Sequence, residues 1–108
     1  MSLFDFFKMP DINQELLVYD ETPDAILLDV RTEEEYGEGH IPGSKNIPLQ
    51  SIDKVRELTD NGDTPLFVYC RSGARSRQAA AFLGHMGYTQ VRNMGGIAAY
   101  QGKVERLI

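Results

Sequence analysis

Residues Leu66 to Tyr69 form a short apolar run that ends in Cys70. After a loop containing Gly73, Ala79, Phe82, Leu83 and Met86 recur at the i, i+3, i+4, i+7 spacing of a helix. No other stretch restricts the fold as much. Short apolar runs without polar alternation are strands buried on both faces, the kind found inside parallel sheets. A strand, a tight loop and a helix in that order predict an α/β architecture, with the apolar face of the helix laid on the sheet and Gly87 marking where it stops.

The rest of the chain repeats this alternation. Asp11 followed by Gln14 resembles a capping box, and Ile12, Leu16 and Tyr19 follow at helical spacing. Ala25 to Val30 is a second apolar strand. Thr32 and Glu35 form another capping box, opening a short helix through Tyr36. Ile41-Pro42-Gly43 is a turn and Lys45 to Ile47 a short strand, after which Ile52, Val55 and Leu58 mark a helix ended by the breakers Asp60-Asn61-Gly62-Asp63. A strand near Val91 and a small helix from Gly96 complete a mainly parallel central sheet of short strands flanked by helices on both faces. With no repeat and no linker-like segment, the 108 residues are expected to form one domain, 1–108.

Composition excludes several classes of function. Hydrophobic residues at 42% and charged residues at 25% match a globular chain, and the longest apolar runs fall far short of the roughly 18 residues of a membrane span. Phe4, Phe6 and Phe7 make the N-terminus apolar, but Asp5 interrupts them and no basic segment precedes a long apolar stretch, so no signal peptide and a cytoplasmic location are expected. A net charge of −5 argues against nucleic acid, whose affinity comes from Lys and Arg neutralising phosphates. Cys70 is the single cysteine, which rules out an intrachain disulfide, a multi-cysteine zinc site and a Cys-x-x-Cys pair. No metal or cofactor is expected. His40, His85 and Cys70 have no recognisable ligand spacing, His40 precedes a turn and suits a hydrogen-bonded structural role, and His85 falls on the solvent side of its helix.

Against this acidic background Arg71, Arg75 and Arg77 crowd around Cys70. Thiolate is the nucleophilic form of cysteine, and both a helix N-terminus and neighbouring arginines favour it. Gly73 lets the backbone curl so that successive N–H groups point inward as an anion nest. Cations in the first turn of a helix oppose its dipole, so Arg75 and Arg77 need a compensating anion, for which the thiolate and its substrate are the candidates. Asp29 and Arg31, at the end of the preceding strand, have the pattern of a turn-stabilising ion pair near the same sheet edge.

The segment Cys70-Arg71-Ser72-Gly73-Ala74-Arg75-Ser76 resembles the active-site loop of the rhodanese family, with its Cys-x-x-Gly-x-Arg pattern. Leu28-Asp29-Val30-Arg31, Glu35-Tyr36, Gly39-His40-Ile41-Pro42-Gly43-Ser44, Asn46-Ile47-Pro48, Gly87-Tyr88 and Gly95-Gly96 stand in the family's order, so that the resemblance covers about residues 12–106. Tyr100 stands where the family often has Trp. The resemblance implies a rhodanese-like fold and a sulfurtransferase of the thiosulfate type. Cys70 is then the catalytic nucleophile, Arg71, Ser72, Gly73, Ala74, Arg75 and Ser76 bind the substrate, and Asp29 and Arg31 support the site. A sulfane sulfur would pass from thiosulfate or another persulfide donor, through a Cys70 persulfide, to a thiol, cyanide or a protein acceptor. Two alternatives remain open. One is a sulfur carrier with little turnover on small molecules, and the other a cysteine phosphatase or arsenate reductase. In related phosphatases the loop has five residues between Cys and Arg, whereas Cys70 and Arg75 enclose four.

Overall fold

Strand alternation in Leu66–Cys70 divides the molecule in two. Every residue of this run is buried, and its side chains point in turn to opposite faces of the sheet, as strand geometry requires. Leu66, Val68 and Cys70 enter one apolar cluster, and Phe67 and Tyr69 enter the other. The computed structural model describes residues 9–107; the apolar segment with Phe4, Phe6 and Phe7 lies outside the described residues.

Among the described residues four strands form the sheet: β1 (Ile26–Asp29), β2 (Lys45–Asn46), β3 (Leu66–Cys70) and β4 (Val91–Gly96). Their order is β2-β1-β3-β4, and all neighbours run parallel. β3 is thus an inner strand, and its carboxyl end is held on both sides. On one face lie α1 (Ile12–Asp20), through Ile12, Leu16 and Tyr19, and the 3₁₀ turn Ile97–Ala99. On the other lie α3 (Ala74–His85), through Ala79 and Leu83, and the 3₁₀ segment Leu49–Glu57, through Ile52 and Val55. The remaining helix, α2 (Glu33–Glu38), follows directly from β1.

The expected elements are all present, with four differences in detail. Asp11 caps α1 by accepting from the Asn13 backbone N–H at 3.0 Å, and no reciprocal bond from Gln14 completes a box. The Thr32–Glu35 box is complete, and its helix runs two residues beyond Tyr36. The segment around Ile52 is a 3₁₀ helix broken at Ser51 rather than an α-helix. Leu49, Ile52, Val55 and Leu58 recur every third residue, which aligns them along one edge of a helix with three residues per turn. Phe82, expected to face the sheet, is 60% exposed. Ser76, Ala79 and Leu83 fill the line of contact, leaving Phe82 at its margin beside Met86 and Ile52.

Candidate active site

β3 delivers Cys70 to the carboxyl edge of the sheet, where open α/β sheets carry their sites. Cys70 is 1% exposed, so its sulfur is screened from bulk water. Gly73 then takes φ of +102°, a left-handed conformation that turns the chain into α3 and sends its N–H back to Cys70 Sγ at 2.9 Å. The Ser76 hydroxyl lies 3.5 Å from the same sulfur. Burial alone would push the Cys70 thiol up. Hydrogen bonds from the Ser76 hydroxyl and from the backbone of Ser76, Gly73 and Ser72 outweigh it and hold the thiol below its ordinary value.

The third strand pair closes the floor. Cys70 is level with Gly96, where a β-carbon would collide with the Arg71 carbonyl and the Ser72 backbone. The same Arg71 carbonyl accepts from Ala98 N–H at 3.1 Å. The loop backbone is thereby pinned to β4 and the turn after it.

Among the loop side chains, Arg71, Ser72 and Ala74 are exposed, Arg75 is half-buried and Ser76 is buried. Arg75 does not depend on the thiolate for its counter-charge, in contrast to the expectation from helix-dipole reasoning. Its guanidinium donates to the two oxygens of Glu35 at 2.7 and 3.0 Å. The Arg75 hydrogen bond holds the Glu35 carboxyl down at about 2, against burial that pushes the other way, with Thr32 adding to the effect. In the sequence Glu35 is legible as the partner of Thr32 in a helix cap and as part of the Glu35-Tyr36 match, but not as the partner of Arg75. Arg77 is exposed on α3.

Asp29 and Arg31 form the expected ion pair, but a buried one. Arg31 Nη2 and Asp29 Oδ2 are 2.7 Å apart, Arg31 N–H donates to Asp29 Oδ1 at 2.9 Å, and the residues are 6% and 0% exposed. Burial works against the Arg31 charge, and Asp29 more than restores it. Arg31 also donates to the Gly39 carbonyl at 2.7 Å, fixing the chain after α2. Arg31, Glu35, Gly39, Arg71 and Ala98 bound a cleft of about 410 Å³ beside the loop. Arg71 is also a wall of a second cleft of about 600 Å³, shared with Ser72, Asn13 and Gly96. A third, of about 300 Å³ between Val18, Pro65 and Gln90, lies by the start of β3 and away from Cys70.

The two histidines stand apart from the sulfur's partners. His40 is buried, donates from Nδ1 to the Tyr36 carbonyl at 2.8 Å and stacks on the Tyr36 ring, whereas His85 is exposed on α3. Asn93 is the residue of the site that carried no sequence signal of its own. It accepts a 2.7 Å hydrogen bond from Ser76 and links β4 to the cysteine loop.

The chain is similar to known proteins in sequence and in fold. The sequence pattern of the rhodanese-like domain matches residues 8–103. A sulfurtransferase of Allochromatium vinosum is 42% identical over 81 residues, covering 74% of this chain and 75% of its own. The thiosulfate sulfurtransferase PspE of Escherichia coli is 42% identical over 72 residues, covering 65% and 68%. Among solved structures, a rhodanese with anions from Escherichia coli superposes with a TM-score of 0.71 at 32% identity, over 76% of this chain and 98% of that one. The chain belongs to the rhodanese-like domain family, and its parallel sheet with helices on both faces is the rhodanese-like fold.

Proposed function

We propose that the protein is a sulfurtransferase of the thiosulfate type in which Cys70 carries the transferred sulfur. The observation that carries this reading is the sulfur's setting at the end of β3. Gly73 N–H is aimed at Sγ at 2.9 Å, further donors come from Ser76 and Ser72, and among the described residues no side-chain carboxylate hydrogen-bonds to the sulfur. Such a ring of donors stabilises an anion on sulfur, whether thiolate or persulfide. The relatives named sulfurtransferase and thiosulfate sulfurtransferase support the same chemistry.

In the proposed reaction the Cys70 thiolate attacks the outer sulfur of thiosulfate. The sulfur–sulfur bond of the donor breaks, its electron pair leaves with sulfite, and a Cys70 persulfide remains. A thiolate or cyanide then attacks the outer sulfur, taking it as a persulfide or as thiocyanate, and the Cys70 thiolate is restored. Loop N–H groups from Arg71 to Ser76 would hold the charged sulfur, Arg71 would meet the incoming anion, and Arg75 would keep the loop in shape through Glu35. Asp29 and Arg31 would hold the end of β1 against the chain at Gly39, a supporting role without contact to the reacting atoms.

The deciding experiment is a steady-state assay with thiosulfate and cyanide beside one with an aryl phosphate, each run on the wild type and on Cys70→Ser. Thiocyanate formation that disappears in Cys70→Ser is expected, with no phosphate release. Phosphate release without thiocyanate would replace this reading with a phosphatase. Transfer from a persulfidated protein without thiosulfate turnover would replace it with a carrier.

A further inference from the structure

The Ser76 hydroxyl has one proton and four acceptors around it. Asn93 Oδ1 is 2.7 Å away, the Gly73 carbonyl 3.1 Å, and the Gly95 carbonyl and Cys70 Sγ 3.5 Å each. Ser76 is 0% exposed, so water cannot supply a substitute donor. The orientation of Asn93 follows from its other partner. Gly95 N–H, a donor only, lies 3.0 Å from the same Oδ1, so that atom is the carboxamide oxygen. An oxygen of this kind only accepts, and the 2.7 Å contact therefore uses the Ser76 proton.

This geometry depends on an irregularity in β4. Val68 is level with Asn93 but Tyr69 with Gly95, so Met94 is an extra residue. Bulges of this type re-aim side chains, and here the bulge lets Asn93 fold back onto Gly95 N–H while its oxygen reaches α3.

We propose that Asn93 is a positioning residue for Cys70: its carboxamide oxygen holds the Ser76 proton while the sulfur is a thiol, and competes with the sulfur for that proton once the sulfur is an anion. Rotation of one hydroxyl then connects β4 to the reacting atom. The competition matters because a thiolate that is too well stabilised attacks slowly, nucleophilicity falling as basicity falls. Asn93 keeps the sulfur more basic, and so more nucleophilic, than the loop donors and Ser76 would leave it. The inference rests on the sulfurtransferase reading only for the use made of that nucleophile.

Charged groups near the loop are Arg75 on α3, which is within electrostatic reach of Cys70, its partner Glu35 on α2, the exposed Arg77 on α3, the Asp29–Arg31 pair at the end of β1, and Arg71. None is altered by the test. Iodoacetamide alkylation of Cys70 is followed against pH in four folded proteins: wild type, Asn93→Ala, Ser76→Ala and the double variant. Asn93→Ala is expected to lower the midpoint, so that alkylation near pH 6 is faster by about threefold to tenfold, the worth of one net hydrogen bond, while the plateau rate at high pH falls. In the Ser76→Ala background, Asn93→Ala is expected to change neither. Equal shifts in both backgrounds, or no shift with the hydroxyl present, would overturn the proposal and leave Asn93 a structural residue.

Should Asn93→Ala fail to fold, Asn93→Asp keeps the acceptor oxygens. Its negative charge raises the midpoint in either background, and a smaller rise without the Ser76 hydroxyl is expected. An equal rise would overturn the proposal. Absence of thiocyanate formation in the wild type would sink the sulfurtransferase reading, yet would leave this coupling measurable.

Discussion

Glu35 and Arg75 join α2 to the first turn of α3 through two side-chain hydrogen bonds of 2.7 and 3.0 Å, across 40 residues of sequence. The carboxylate carries two loads, because the same Glu35 Oε1 accepts from the Thr32 backbone N–H and hydroxyl at the start of α2. A cation in the first turn of α3 opposes the helix dipole, and Glu35 offsets it. The loop around Cys70 is therefore braced from α2.

Acid should release that brace. The folded-state value of Glu35, about 2, lies below its ordinary 4.5, so the pair contributes stability that is fully present above pH 4.5 and is lost as pH falls toward 2. Both side chains remain partly in water, at 36% and 27% exposure, which reduces the contribution to about 1 kcal/mol. Urea unfolding of wild type and Glu35→Gln is expected to show that difference at pH 6 and almost none at pH 2. A difference of equal size at both pH values would assign the effect to packing.

Removing either partner should move the Cys70 thiol in opposite directions. Arg75→Ala takes away a cation that interacts with the Cys70 charge and leaves the Glu35 carboxylate unpaired. The alkylation midpoint should rise. Glu35→Gln frees the Arg75 charge, and the midpoint should fall. In the wild type, the hydrogen-bond donors that outweigh burial place the midpoint below that of a free model thiol. Profiles identical to a free thiol in all three proteins would show that the loop does not activate its cysteine.

Local patterns in the sequence reach as far as local physics does. The run from Leu66 and the helix after Gly73 were legible because strand and helix periods are properties of neighbouring residues, and the Thr32–Glu35 box was legible for the same reason. The Asp29–Arg31 pair, two residues apart, was legible as a pair but not as buried, since its burial is supplied by the strands beside β1. The partner of Arg75 was not legible: dipole reasoning required an anion but gave no reason to choose Glu35 over the sulfur. Asn93 was hidden more deeply, because its reach to Ser76 depends on a one-residue shift between β3 and β4. The 3₁₀ segment escaped because Ile52, Val55 and Leu58 at i, i+3 spacing fit both helix types.

Phe82 and Leu83 offer a direct test of which face of α3 meets the sheet. Leu83 is 0% exposed inside the cluster with Val68 and Cys70, whereas Phe82 is 60% exposed. Leu83→Ala should leave a cavity and destabilise by about 2–4 kcal/mol, and Phe82→Ala should stay below about 1 kcal/mol. Chemical denaturation of the two variants gives the comparison. Comparable losses would mean that Phe82 is covered by something in solution.

The fate of a loaded sulfur follows from the cysteine count. Cys70 is the single cysteine of the chain, so a persulfide formed there has no second thiol to resolve it within one molecule. At 1% exposure the site also limits attack by solvent-borne thiols of neighbouring molecules. Protein incubated with thiosulfate and freed of excess donor is therefore expected to keep one additional sulfur on Cys70 over the course of an intact-mass measurement. Adding cyanide should discharge it in a single turnover and return the unmodified mass, with one thiocyanate released per loaded chain. Asn93→Ala should still load, because the Gly73 N–H remains in place to receive the sulfur. Turnover with Cys70 unmodified at every time point would exclude the two-step route and require direct transfer from donor to acceptor.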